Sequence, residues 1–128
     1  MIRQPDILIV EGLNVLQVGE TKKAAESVRF GFFLIFSIYV DAGKPDLQKW
    51  YIERFKTLCR TAFKREDSYF HRFASLTEAQ AIETAARIWK EINEANLDQN
   101  ILPTRERAQL ILTKGQDHFV HQIKLRKL

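Results

Sequence analysis

Phe36-Ser37-Ile38-Tyr39-Val40, closed by Asp41-Ala42-Gly43 and followed at once by Lys44-Pro45-Asp46, is the stretch that decides the fold. A run of β-branched and aromatic residues suits a strand, Asp41-Ala42-Gly43 stops it, and Pro45 with Asp46 opens a helix. Beyond Pro45, Leu47, Trp50, Tyr51, Arg54, Phe55 and Leu58 recur at the three/four spacing of a single helical face. Upstream, Ile7-Leu8-Ile9-Val10 is a short continuous apolar run, bounded by Pro5-Asp6 and Glu11-Gly12, that reads as a central parallel strand buried on both faces. The polar segment from Val18 to Ser27 reads as a surface connection, and the apolar segment from Phe30 to Val40 leads into the second strand.

Downstream, Phe63 to Phe73 is a loop rich in charge and aromatics. A second helix starts at Thr77, whose hydroxyl can cap the first turn while Gln80 reaches back, with Leu76 and Ala81 as a staple. Ala81, Ala85, Ile88, Trp89 and Ile92 mark its buried side, the pattern fades near Asn96 to Asn100, and Pro103 marks a break. Ala108 to Leu112 reads as a further strand, Lys114-Gly115 as a turn, and Phe119 to Arg126 as a final, alternating strand. Strands separated by helices argue for an α/β layer with a mainly parallel sheet, although three or four strands make a thin one.

The 128 residues, 45% hydrophobic and 28% charged, suit one domain with a core rather than a disordered chain. A lone cysteine, Cys59, closes no internal disulfide, and three histidines with no CxxC spacing give no zinc motif, which points to a reducing, cytoplasmic setting. The longest apolar stretch, Phe30 to Val40, is far short of the roughly 20 residues a membrane helix needs. Twenty basic against sixteen acidic residues, a net +4, permit an anionic partner, but the basic residues are dispersed and lack a docking motif, which argues against nucleic acid.

Glu11, at the carboxyl end of the first apolar run, can hold Mg²⁺ directly or through water, or cap the turn that follows. With Leu47 as zero and about 100° per residue, Tyr51 falls near 40°, Phe55 near 80°, Trp50 near 300° and Arg54 near 340°. Arg54 thus leaves from inside the apolar arc, and its charge must pair with a carboxylate, snorkel to water or meet an anion brought by a ligand. Lys49, Lys56, Arg60 and Lys64 keep to the other side, as a solvated face. Tyr51, Phe55, Tyr69 and Phe70 belong to an aromatic cluster that serves as core or as a pocket with a polar rim. Asn93, His118 and His121 have ordinary readings as solvated or packing residues.

Whole blocks, in order, resemble bacterial type I pantothenate kinases. These are Pro5 to Gln17, Phe36 to Ala42, Trp50-Tyr51-Ile52-Glu53-Arg54-Phe55, Asp67-Ser68-Tyr69-Phe70-His71, Trp89-Lys90-Glu91-Ile92-Asn93, Asn100 to Ala108, Leu110 to Lys114, and Lys124-Leu125-Arg126-Lys127. The resemblance implies ATP-dependent, Mg²⁺-assisted phosphorylation of pantothenate in coenzyme A synthesis, on a P-loop kinase-like three-layer fold. It implies that Glu11 lies near the metal and that Arg54 reaches the transferring phosphate. Tyr51 and Asn93 would hold pantothenate, Phe55, Tyr69 and Phe70 would line the pocket for its tail or for the thiol end of coenzyme A, and His118 would sit beside the nucleotide base.

The departures also carry expectations. A GxxxxGK[ST] phosphate loop occurs nowhere in the sequence. The expected architecture is therefore a partial α/β domain over residues 1–128, the carboxyl-terminal portion of the kinase without its nucleotide-binding part. Such a chain is expected to be inactive alone, and its partner would be a separate P-loop-bearing half or a second copy. Phe32 and Ile35 replace two acidic positions of the family. Leu58 and Cys59 replace an aromatic and a basic residue expected near the base of coenzyme A.

Overall fold

The computed structural model describes residues 7–17 and 36–127. Its strands are β1 (Ile38–Ala42), β2 (Leu110–Lys114) and β3 (Val120–Leu125), in the spatial order β1-β2-β3. β1 and β2 run parallel with Tyr39 opposite Ile111, and β2 and β3 run antiparallel with Ile111 opposite Lys124. The sheet is therefore mixed and small, rather than mainly parallel. The ladder starts two residues after Ala108 because Gln109 has another task. Its Oε1 accepts hydrogen bonds from the Ser37 backbone N–H at 2.7 Å and from Ser37 Oγ at 3.2 Å.

The expected first strand is not formed. Residues 7–12 have no regular structure, and Ile7 and Ile9 are 80% and 85% exposed. A strand exists only through a neighbour's hydrogen bonds, and among the described residues this run has none. Only its far end is anchored: Leu16 packs beside Tyr39, Ala108 and Ile111, and the Leu16 carbonyl accepts from Arg107 Nη1 at 3.1 Å. The surface connection read at Val18 to Ser27 and the replaced positions Phe32 and Ile35 lie outside the described residues.

Helix α1 (Lys44–Arg60) begins with Pro45 in its first turn, where a missing N–H costs nothing. Helix α2 (Glu78–Ile88) carries the full capping box: Thr77 Oγ1 accepts from the Gln80 N–H at 3.3 Å, and Gln80 Oε1 accepts from the Thr77 N–H at 3.0 Å. The two helices close a core of Phe55, Cys59, Phe63, Ala81 and Ala85, with Tyr51, Ile52, Leu58, Phe73 and Leu76 against it.

Past Ile88 the helix does not fade. It continues through a wide π turn (Trp89–Asn93), one α turn (Glu94–Asn96) and a second π turn (Leu97–Ile101), then tightens into a 3₁₀ segment (Leu102–Arg107) that accommodates Pro103 near its start. The covered positions explain the geometry. Ala81, Ala85, Trp89 and Leu97 are buried and Asn93 is half-buried, a spacing of four. At about 100° per residue, a four-residue stripe drifts about 40° per step around an α-helix. Wide turns hold an extra residue each and take up that drift. Ile92, expected on the buried side, is consequently 61% exposed.

Candidate functional site

The buried arc of α1 is centred on Tyr51, Phe55 and Cys59, so the apolar residues split into two groups. One faces α2. The other is Trp50, which turns toward the β2–β3 hairpin and stacks on His118 with ring centroids 4.2 Å apart and planes 24° apart. Lys114 Nζ lies 5.3 Å from the centre of the Trp50 ring, a cation–π contact. The hairpin loop delivers His118 with φ +67°, the left-handed region that a side chain rarely adopts. The loop is closed by a Gly115 N–H to Phe119 carbonyl bond of 3.0 Å.

Arg54 follows Trp50 by one turn and belongs to neither group. It is exposed, and among the described residues its guanidinium has no carboxylate and no hydrogen-bond acceptor. The reading that placed it inside the apolar arc is corrected: the arc spanned two faces, and Arg54 stands between them. Among the described residues no acid neutralises this cation. Lys56 departs from the expected solvated face, its side chain only 15% exposed, whereas Arg60 keeps to it at 63%. Lys56 Nζ is 3.0 Å and Arg60 Nη2 3.1 Å from the carboxylate of Glu78, at the start of α2. Lys56 also meets Glu53 at 3.2 Å, and its side chain is largely covered. The hydrogen bond from Lys56, then its charge and that of Arg60, hold the Glu78 carboxyl below its usual range. The signal in the sequence was Glu78, an acid placed directly after a helix cap.

Tyr51 is half-buried, with its ring centroid 5.7 Å from Trp89 and 6.5 Å from Phe55. Asn93 stands one step beyond Trp89 on the buried stripe, inside the first wide turn. Trp89 thus contacts Tyr51 and precedes Asn93 by one step on the stripe. From Phe55 the rings continue outward. Phe55 meets Phe63 at 5.7 Å and Phe73 at 5.4 Å, Phe63 meets Phe70 at 5.2 Å, and Phe70 meets Tyr69 at 5.1 Å. Phe55 is a core residue, whereas Tyr69 is 81% exposed and Phe70 45%. Arg72 lies over the rings of Phe73 (4.9 Å) and Tyr69 (5.9 Å). The arrangement offers a series of apolar rings, tilted or edge-on to one another, with a cation over Phe73 and Tyr69. Cys59 is buried at its base, and burial pushes its thiol up.

Glu11 is exposed in the irregular stretch before the Leu13 to Leu16 turn. Among the described residues no three His, Cys, Asp or Glu side chains gather as metal ligands. A single exposed carboxylate does not make a metal site. At the carboxyl end of β1, Asp41 is instead engaged by Arg105, Nε to Oδ2 at 2.8 Å. This bond, followed by the one to Glu106, raises the Arg105 pKa. No helix among the described residues is long and apolar enough to cross a membrane.

No family model matches the chain. It is 54% identical over 127 residues to a pantothenate kinase of Histophilus somni, which covers 99% of this chain and 39% of that protein. To a pantothenate kinase of Brevibacillus brevis it is 57% identical over 130 residues, covering 99% and 41%. To one of Myxococcus xanthus it is 54% identical over 129 residues, covering 100% and 41%. The chain therefore spans about two fifths of the length of the curated relatives it matches.

Proposed function

From its likeness to the carboxyl-terminal portion of pantothenate kinases, we propose that this chain is the pantothenate-side part of an ATP-dependent pantothenate kinase and does not turn over without a phosphate-binding loop supplied by another polypeptide segment. The observation that carries the reading is identity above one half sustained along the whole chain. The geometry is compatible with it. Tyr51 and Asn93, flanking Trp89, are the proposed polar contacts for pantothenate, and the ring series through Phe70 and Tyr69 is the proposed seat for its apolar stem, with Phe55 as the wall behind. Arg54 is proposed to present its guanidinium to the transferring phosphoryl group. Phosphoryl transfer depends on positioned positive charge, and an exposed cation with no partner among the described residues is available for it. His118, held against Trp50, is the proposed neighbour of the nucleotide base.

ATP and Mg²⁺ enter this reading through the relatives' activity. The sequence has no GxxxxGK[ST] loop to cradle phosphates, and Glu11 alone is too small a donor set for the metal, so no step is assigned to either here. A coupled ADP-release assay tests the proposal directly. The purified chain is expected to show no pantothenate-dependent turnover, and calorimetry is expected to detect pantothenate binding that Asn93→Ala removes. In an enzyme reconstituted with the missing loop, Arg54→Ala is expected to abolish turnover while leaving pantothenate binding intact. Turnover by the isolated chain, or an Arg54→Ala enzyme of undiminished rate, would refute it.

A further inference from the structure

The β2–β3 hairpin is irregular at its loop end. Thr113 pairs with Gln122 and Lys114 with Val120, so His121 is the extra residue of a β-bulge. A bulge re-aims the side chain it carries. The His121 ring turns back toward the loop, where its Nε2 lies 2.8 Å and 3.0 Å from the two carboxylate oxygens of Asp117. Asp117 Oδ1 also accepts from the Phe119 N–H at 3.0 Å. The bond from His121, then that from Phe119, hold the Asp117 carboxyl below its usual range. Gly115 lets the ring come this close: a Cβ there would fall 2.5 Å from His121 Cδ2 and 2.8 Å from its Nε2.

These contacts bracket His118. Its N–H donates to the Gly115 carbonyl at 3.0 Å, and Asp117 binds the N–H of the residue that follows it. A side chain in the left-handed region persists only where its surroundings fix it, and at φ +67° His118 lays its ring on Trp50. Stability alone does not account for the pair. The side chains of Asp117 and His121 are 50% and 59% exposed, and ion pairs so open to water contribute little. We propose that Asp117, gripped by the bulged His121, is a positioning residue that fixes the turn in which His118 stacks on Trp50, and so sets the wall against which a nucleotide base packs. The proposal rests on the functional reading above, which places His118 beside the base, and adds what aims it. Asp117 and His121 act through His118 rather than on the nucleotide.

Nuclear magnetic resonance of the His118 ring protons in the full 128-residue chain tests the clamp. Stacking on an indole moves these signals upfield, and Trp50→Leu gives their unstacked position. Asp117→Ala removes the acceptor, and Gly115→Ala keeps the carboxylate but pushes His121 aside. Each is expected to lose most of the upfield shift while the amide signals of residues 110–113 and 122–125 stay in place. Asp117→Asn, which keeps an oxygen for the Phe119 N–H, is expected to retain it. In a second arm this chain replaces the matching two fifths of the Myxococcus xanthus pantothenate kinase. There both alanine variants are expected to raise KM for ATP about tenfold, the most that one ring stack is worth, with kcat and KM for pantothenate unchanged. Unmoved ring signals in both alanine variants overturn the proposal. So does a shift lost only together with the strand signals, which would make the pair a staple of the hairpin. A lost stack with KM for ATP unmoved leaves the clamp standing and sinks the reading of His118 as the neighbour of the base, and a chimera that phosphorylates no pantothenate counts against the kinase reading alone.

Discussion

The core between α1 and α2 and the core beneath the sheet are built on opposite plans. The first draws its members from Tyr51 to Ile88 and is sealed by residues close in sequence, with a capping box starting one of its helices and Lys56 and Arg60 fastening the seam through Glu78. The second joins Leu16, Tyr39, Ile101, Ala108 and Ile111 across most of the chain and, among the described residues, closes on one side only. Local contacts cost little loop-closure entropy, so a helical pair can complete itself within a fragment, whereas a sheet depends on segments brought from afar.

This contrast can be broken by measurement. Phe55→Ala, at the centre of the helical core, should cost about 3–5 kcal/mol in urea denaturation, as aromatic truncation in a packed interior does. A loss below about 1 kcal/mol would mean that the helical core is not the stable one. Thr77→Ala, which removes the cap of α2, should cost about 1 kcal/mol, and no change would show that the box is dispensable. Val40→Ala, at an exposed position of β1, should stay within about 0.5 kcal/mol for the chain alone; a cost like that of Phe55→Ala would show that the position is covered in solution. The smallest effect belongs to Glu78. Because Lys56 and Arg60 hold its folded pKa down, the stability it contributes is present above the unfolded glutamate value and is lost as pH falls through the folded one. Glu78→Gln should lower stability slightly at neutral pH and make no difference below the folded pKa, so that the acid side of the curve flattens, whereas an unaltered acid limb would remove the clamp from the account.

The same contrast explains what was legible. The two helices and the Thr77–Gln80 box follow from neighbours in sequence and stand where the pattern put them, whereas the turn read at Lys114-Gly115 falls at Gln116-Asp117, since Lys114 still pairs in β2. Residues 7–10 carried a strand's composition without the partner that makes one, and no periodicity reveals a missing neighbour. Arg54 was misplaced because a helical wheel ranks residues by angle but does not say which angles face a partner; Trp50 and Phe55 look like one stripe until the hairpin claims the first and α2 the second. Of the candidate site, Tyr51 lies against Trp89, Asn93 follows Trp89 by one step on the same stripe, and Tyr69 and Phe70 stand at the open end of the ring series. The Trp50–His118–Lys114 stack escaped notice, since its members lie more than sixty residues apart in sequence.

The wide turns at Trp89–Asn93 and Leu97–Ile101 make residue count itself a functional variable. Deleting one residue, such as Lys90, would remove the extra residue held by the first wide turn and let the segment relax into ordinary α winding. Such a deletion would leave hydrophobicity and helical content nearly intact, so it separates the winding of this segment from its composition.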